Sequence, residues 1–368
     1  MEIKIMRINK SEAMSGRETA CVVINLIAYK LFTVIPVWFS KNGASAAFLS
    51  AVFAFAAAAL AVYFCLKLYY QNAEGSIIDA ALSALGKGAS AAVAAVFGGY
   101  LIVSAVFALS QLSNLVKLMA FPTAPIWFIE LFFVIAAAIS AAVPKKGIIR
   151  THLVLVPVCI AIVIFMLASV VPSVDMGNIF PIMGLGAKGV FLKGLGGTVM
   201  FSDILVLFLL KPFCADRRRL NKPAFCAAVF AAALAAVFVL IYSTLVPYPA
   251  SADGTFPIYS VMKNVYYGRF LQRIDALVML AAVLSGMLYI SLTVSVAADT
   301  LGEALGGVRC GAYALPIALI VFWAAHGGTL AILRELRGIL AAAAVLAAVT
   351  VIVISACAAR RRKTNEAM

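Results

Sequence analysis

Long, nearly uncharged apolar stretches recur along this chain, each about as long as a helix that crosses a bilayer. Ten can be marked, at residues 18–39, 46–70, 91–118, 124–143, 149–171, 195–213, 224–245, 271–298, 312–332 and 338–358. A helix rises about 1.5 Å per residue, so about twenty residues cover a hydrocarbon core of about 30 Å. Composition decides between membrane spans and buried core helices. The chain has 368 residues, of which 65% are hydrophobic and 12% charged, about half the charged share of a soluble domain. Too little polar surface remains to cover a water-facing exterior. A soluble enzyme, a nucleic-acid-binding domain and a disordered chain are excluded. The pattern predicts an all-α polytopic membrane protein embedded in the lipid bilayer.

The net charge of +14 reads as an orientation signal, because basic residues gather in the cytoplasmic loops of membrane proteins. With the N-terminus inside, inner segments carry 19 Lys and Arg, outer segments carry 9, and Lys30 lies within a span. Both termini are therefore expected in the cytoplasm, as an even number of spans requires. The expected organisation is a leader at 1–17, a transmembrane domain at 18–358 and a basic tail at 359–368. The second of two longer outer loops, 246–270, places Ile258, Val261, Val265 and Tyr266 among polar residues, the pattern of a short interfacial helix.

Ten spans divide into halves of about 18–171 and 195–358, and spans 1 and 6 then start from opposite faces. That is the arrangement of a 5+5 inverted repeat, in which the first helix of each half is discontinuous near the midplane. Span 6 carries Gly194, Gly196, Gly197 and Thr198 at its start, and span 1 carries Asn25, Tyr29 and Lys30 before Pro36. Unwound backbone persists in a membrane only beside a cavity. Its free N–H groups suit a carboxylate and its free carbonyls suit an ammonium or a cation. These seven residues and Asp203 form the candidate ligand site. A second reading of Gly196 and Gly197 is close helix packing.

Charges inside spans are costly and mark function by default. Lys30 can pair with an acid, meet an anionic group or reach for a headgroup. Asp203 can hold a substrate amine, bind a proton or pair with Lys30. Glu130 and Asp275 read as interfacial acids, Asp299 and Glu303 as solvated, and His326 as a hydrogen-bonded core residue. Gly184-Leu185-Gly186-Ala187-Lys188-Gly189 matches a dinucleotide fingerprint but follows no strand. The seven cysteines are scattered and only two His exist. No nucleophile–base pair and no metal motif is present, so neither an enzyme nor a cofactor is expected.

Several segments together resemble one family, the spore germination permeases. Phe121-Pro122-Thr123-Ala124-Pro125-Ile126-Trp127 is similar to its entry into span 4, and Gly147-Ile148-Ile149-Arg150 with Pro157 to its entry into span 5. Asn178-Ile179-Phe180-Pro181 with Gly184 and Gly186 resembles its loop before span 6, and Phe201-Ser202-Asp203 with Pro212 its acidic position there. Phe256-Pro257 and Gly268-Arg269-Phe270-Leu271-Gln272-Arg273-Ile274-Asp275-Ala276-Leu277 carry the most specific match, with Gln272 where the family usually has an acid. The resemblance implies the amino acid–polyamine–organocation superfamily and the B subunit of a nutrient germinant receptor in the spore inner membrane. It further implies a small germinant, often an amino acid, and A and C partner subunits. A proton- or cation-coupled amino-acid permease and a non-transporting assembly subunit are the alternatives.

Overall fold

The computed structural model describes residues 14–72, 75–210, 213–214, 216–253, 256–262, 274–304, 313–326 and 330–367. The segment Gly268–Arg273, the leader before Met14, Val265, Tyr266, Pro212 and the Gly327-Gly328 pair lie outside the described residues. Those that are described contain helices and connections and no strand.

The chain enters helix α1 (Gly16–Ala28) through a capping box. The Ser15 hydroxyl accepts from the Glu18 N–H at 3.2 Å and the Glu18 carboxylate accepts from the Ser15 N–H at 2.7 Å, so two orphan donors are satisfied reciprocally. The helix then tightens into a 3₁₀ turn at Tyr29–Leu31. Val34 has non-helical φ and ψ of −125° and −44°, and α2 (Ile35–Gly43) begins with Pro36 in its first turn. Proline has no N–H to continue the preceding ladder, and in the first turn of a new helix that missing donor costs no hydrogen bond. Span 1 is therefore two helices meeting at a break, as expected from Pro36. At its far end Ala44 takes a φ of 54°, a left-handed turn into α3 (Ala47–Asn72).

The short helix α4 (Ile77–Leu85) starts on a second capping box, Ser76 with Asp79. Then follow α5 (Lys87–Met119), α6 (Ile126–Ala142) and α7 (Lys145–Val170). Span 6 begins with a π turn at Gly189–Lys193 and continues as α8 (Gly196–Phe208), which is wound as a 3₁₀ helix. After it come α9 (Arg217–Leu245), the short α10 (Ala250–Asp253) and α11 (Pro257–Met262), then α12 (Ile274–Ala304), α13 (Ala314–His326) and α14 (Leu330–Ala367). Seven described helical stretches are long and apolar enough to cross a bilayer, and α6 and α13 are shorter apolar helices. With α2 running on into α3 in one of the seven, and α1 taken as the first part of span 1, the elements resolve into the ten expected spans. They form five plus five, and the irregular helix stands first in each set.

Burial ranks the helices. The apolar windows of α5 and α12 are 67% buried, against 33% for those of the α2–α3 stretch and α14. The two central helices pack on each other more extensively than any other pair. The surface is apolar, with Trp323 83%, Val154 66% and Ile139 64% exposed, as a lipid-facing exterior demands. A few charges lie in the buried interior, and Lys30, Asp203 and Glu130 among them are nearly inaccessible.

Helix α11 turns Pro257, Ile258, Val261 and Met262 inward, where they are buried, and packs beside α9 and α12. One expectation is corrected. Asp299 is not simply solvated, since it forms an ion pair with Lys145 at the start of α7.

Candidate functional site

The break in span 1 and the narrow helix of span 6 meet at a buried ion pair. Lys30 Nζ lies 2.6 Å from Asp203 Oδ2, and both side chains are almost fully buried. The same ammonium donates to the Met200 carbonyl at 2.9 Å. Asp203 accepts two further hydrogen bonds. The Tyr100 hydroxyl donates to Oδ1 at 2.5 Å and the Tyr289 hydroxyl donates to Oδ2 at 3.0 Å. Since the Tyr100 proton is committed to the carboxylate, the Ser202 hydroxyl at 2.9 Å donates to the Tyr100 oxygen. A charge pair taken out of water is tolerated when its remaining lone pairs and protons are satisfied, and α5, α8 and α12 each supply a group that does so.

Aromatic stacking fixes the pair from one side. The rings of Tyr29 and Tyr289 stack with centroids 4.9 Å apart at 27°, and the Tyr29 hydroxyl donates to the Ala108 carbonyl on α5 at 2.9 Å. Gly286 permits the approach: a Cβ there would sit 3.0 Å from Leu112 and 3.3 Å from the Tyr29 ring. One helix turn away, Asn25 and Ser285 are tied reciprocally. The amide donates to the Ser285 carbonyl at 3.2 Å and the Ser285 hydroxyl donates to the amide oxygen at 2.8 Å. Asn25 therefore joins α1 to α12 with its polar groups engaged. Two buried hydroxyls lie next to the centre: Thr33, beside the Tyr29 phenol, and Ser104, beside Tyr100.

Of the expected site residues, Asn25, Tyr29, Lys30 and Asp203 converge. The small residues of span 6, Gly194, Gly196, Gly197 and Thr198, make other contacts. The backbone there changes winding instead of opening, so its N–H groups remain in helical ladders. A Cβ on Gly194 would meet Ser50 at 3.2 Å, one on Gly196 would meet Trp38 at 3.2 Å, and one on Gly197 would meet Phe39 and Trp38. These glycines let span 6 pack against α2 and α3, the second reading given above. The Thr198 hydroxyl donates to the Leu195 carbonyl at 2.8 Å. Tyr100, Tyr289, Ser202, Ser285, Thr33 and Ser104 were not singled out from the sequence. For the tyrosines a signal existed: a phenol in mid-span needs a buried acceptor.

Elsewhere, His326 Nδ1 lies 3.7 Å from the buried Glu130 carboxylate, linking the ends of α13 and α6. No cluster of three metal-ligating side chains occurs among the described residues.

An all-α bundle with a charged, hydrogen-bonded centre beneath a broken first helix defines a membrane protein of transporter architecture. Solved structures of that architecture match nearly the whole chain. Mhp1, a nucleobase-cation-symport-1 family transporter in a closed conformation with bromovinylhydantoin bound, is 14% identical, with 95% of this chain and 80% of that one covered and a TM-score of 0.62. MhsT in complex with L-phenylalanine is 14% identical, covers 92% and 88%, and has a TM-score of 0.64. A mutant of the Eremococcus coleocola manganese transporter is 13% identical, covers 97% and 79%, and has a TM-score of 0.55. These likenesses show the fold. No curated protein matches the sequence. The family model described as spore germination protein matches residues 19–326. The chain belongs to the spore germination protein family.

Proposed function

We propose that this protein is the transporter-like integral membrane subunit of a nutrient germinant receptor, and that it binds a small zwitterionic germinant, an amino acid, between Lys30 and Asp203. The Lys30–Asp203 ion pair carries the reading. A zwitterion can exchange with such a pair without leaving charge unbalanced: its carboxylate meets Lys30 and its ammonium meets Asp203. A lone anion or cation would leave one buried charge without its partner, which costs several kcal/mol. A neutral sugar or nucleoside offers no compensation for separating the pair. Family membership supports the germination role, and the break at Tyr29–Val34 supports movement at this point. Thr33 and Ser104 place two buried hydroxyls next to the centre that a bound carboxylate or amine would engage.

In this reading the protein sits in the spore inner membrane with both termini cytoplasmic and works with A and C subunits. Calorimetric screening of the purified chain against amino acids, nucleosides and sugars tests it. At least one amino acid should bind, and Asp203→Asn should abolish that binding while the protein still inserts. Binding of sugars or nucleosides alone, or full affinity in Asp203→Asn, overturns it.

A second reading is a proton- or cation-coupled amino-acid permease, favoured by the transporter fold. Liposomes containing the protein would then accumulate a labelled amino acid under an imposed gradient. Binding without accumulation favours the receptor.

A further inference from the structure

The helix that carries Asp203 borders a second feature, distinct from the ion pair. An apolar groove of about 170 Å³ runs between α3, α8 and α14. Small side chains hollow it out, with Ala61 and Cys65 from α3 and Ala344 and Ala348 from α14, and its floor is the α8 face that includes Ser202 and Leu205. Its rim belongs to the lipid-facing surface: Val345, which lines it, is 55% exposed. The groove thus opens sideways into hydrocarbon. An apolar cavity of about 150 Å³ is known to stay dry and to take a benzene-sized apolar guest, so this volume suits a short run of methylenes.

The winding of α8 gives the groove a consequence. Runs of 3₁₀ helix longer than three or four residues are uncommon, yet α8 keeps this form for 13 residues. Thirteen residues extend about 26 Å as a 3₁₀ helix and about 20 Å as an α-helix. The same atoms over a greater length make a slimmer rod. Relaxation to α would therefore swell α8 sideways, and the groove is open space along its flank. Ser202, on the groove floor, donates to Tyr100, which donates to Asp203. A change in this helix reaches the ion pair through two hydrogen bonds.

We propose that the groove binds one acyl chain of a membrane lipid, and that the bound chain wedges α8 in its slim winding. The occupant is an acyl chain because the lining is almost wholly apolar and its mouth lies on the surface that faces lipid. This proposal does not depend on the identity of the germinant.

Native mass spectrometry of the full-length protein, released from phosphatidylethanolamine–phosphatidylglycerol nanodiscs and washed with detergent, tests the site. The unaltered chain should retain one phospholipid. Ala348→Trp, or Ala61→Phe if the former does not insert, should retain none. Leu319→Trp, on the exposed face of α13, should behave as the unaltered chain. Hydrogen exchange then tests the wedge. Complete delipidation should slow exchange of the Val199–Phe208 amides at least tenfold in the unaltered chain, because the relaxed α winding has the better hydrogen-bond geometry, and Ala348→Trp, whose indole fills the groove, should keep the exchange rates of the lipid-bound chain. Retention of no lipid, retention of detergent or another small molecule in its place, or equal retention in both groove variants overturns the site. Exchange unchanged by delipidation overturns the wedge.

Discussion

Lys30 and Asp203 lie 2.6 Å apart although they belong to the two irregular helices at opposite ends of the fold's internal division. Neither helix is satisfied alone. The ammonium caps a carbonyl of span 6 through Met200 while neutralising the carboxylate of the same helix. Removing one partner strands a buried charge, so Lys30→Met and Asp203→Asn should each destabilise the protein, by about 3–5 kcal/mol for full loss of a partner. The double variant should lose less than the sum. Thermal unfolding in detergent of all four proteins gives the coupling, and strictly additive losses would refute the pairing.

Tyr100 and Tyr289 should differ in what they support. Each donates to Asp203, and a hydrogen bond to a charged group contributes about 1.5–3 kcal/mol. Tyr289→Phe keeps the stack on Tyr29 and removes one donor. Tyr100→Phe removes a donor and also strips Ser202 of its acceptor. Tyr100→Phe should therefore cost more stability than Tyr289→Phe, as compared by unfolding midpoints. The reverse order would show that Ser202 finds another acceptor.

Ser285→Ala tests the tie between α1 and α12. It removes the donor to the Asn25 amide oxygen and leaves that oxygen buried, at about 1–3 kcal/mol. The companion variant Ser285→Thr keeps the hydroxyl and should recover much of the loss. Equal losses in the two would locate the effect in packing.

Gly286→Val should close the approach of α12 to Tyr29, where a Cβ already falls within 3.3 Å of the ring. Overpacking of this kind costs about 1–3 kcal/mol. Ligand affinity should fall with it, because Tyr29 holds Tyr289 beside Asp203. Unaltered affinity in calorimetry would separate the stack from the site.

Gly197→Leu separates packing from binding in span 6. Its side chain would collide with Phe39 and Trp38, so the variant should lower insertion and stability as a whole. If it folds normally and loses only ligand affinity, Gly197 belongs to the binding site and its packing role is wrong.

Part of this was legible in the residues. Pro36 announced the break in span 1, and the pairing of Lys30 with Asp203 was one of the readings those charges allowed. The glycines of span 6 signalled irregularity but not its form: the same sequence permits unwinding or overwinding, and packing against Trp38 and Phe39 settles which. Tyr100 and Tyr289 stayed hidden because a phenol in an apolar span looks like any other aromatic until its acceptor is placed.

The amino-acid sequence by itself determined the ten crossings and the all-helical class, because a run of about twenty apolar residues is what a helix needs to cross hydrocarbon. Only the tertiary structure decided which faces turn inward. Most of these helices are apolar all round, and a helix without a polar stripe does not announce its own rotation. Packing fixes that rotation, and with it the convergence of Lys30, Tyr100, Asp203 and Tyr289 from four separate segments of the chain.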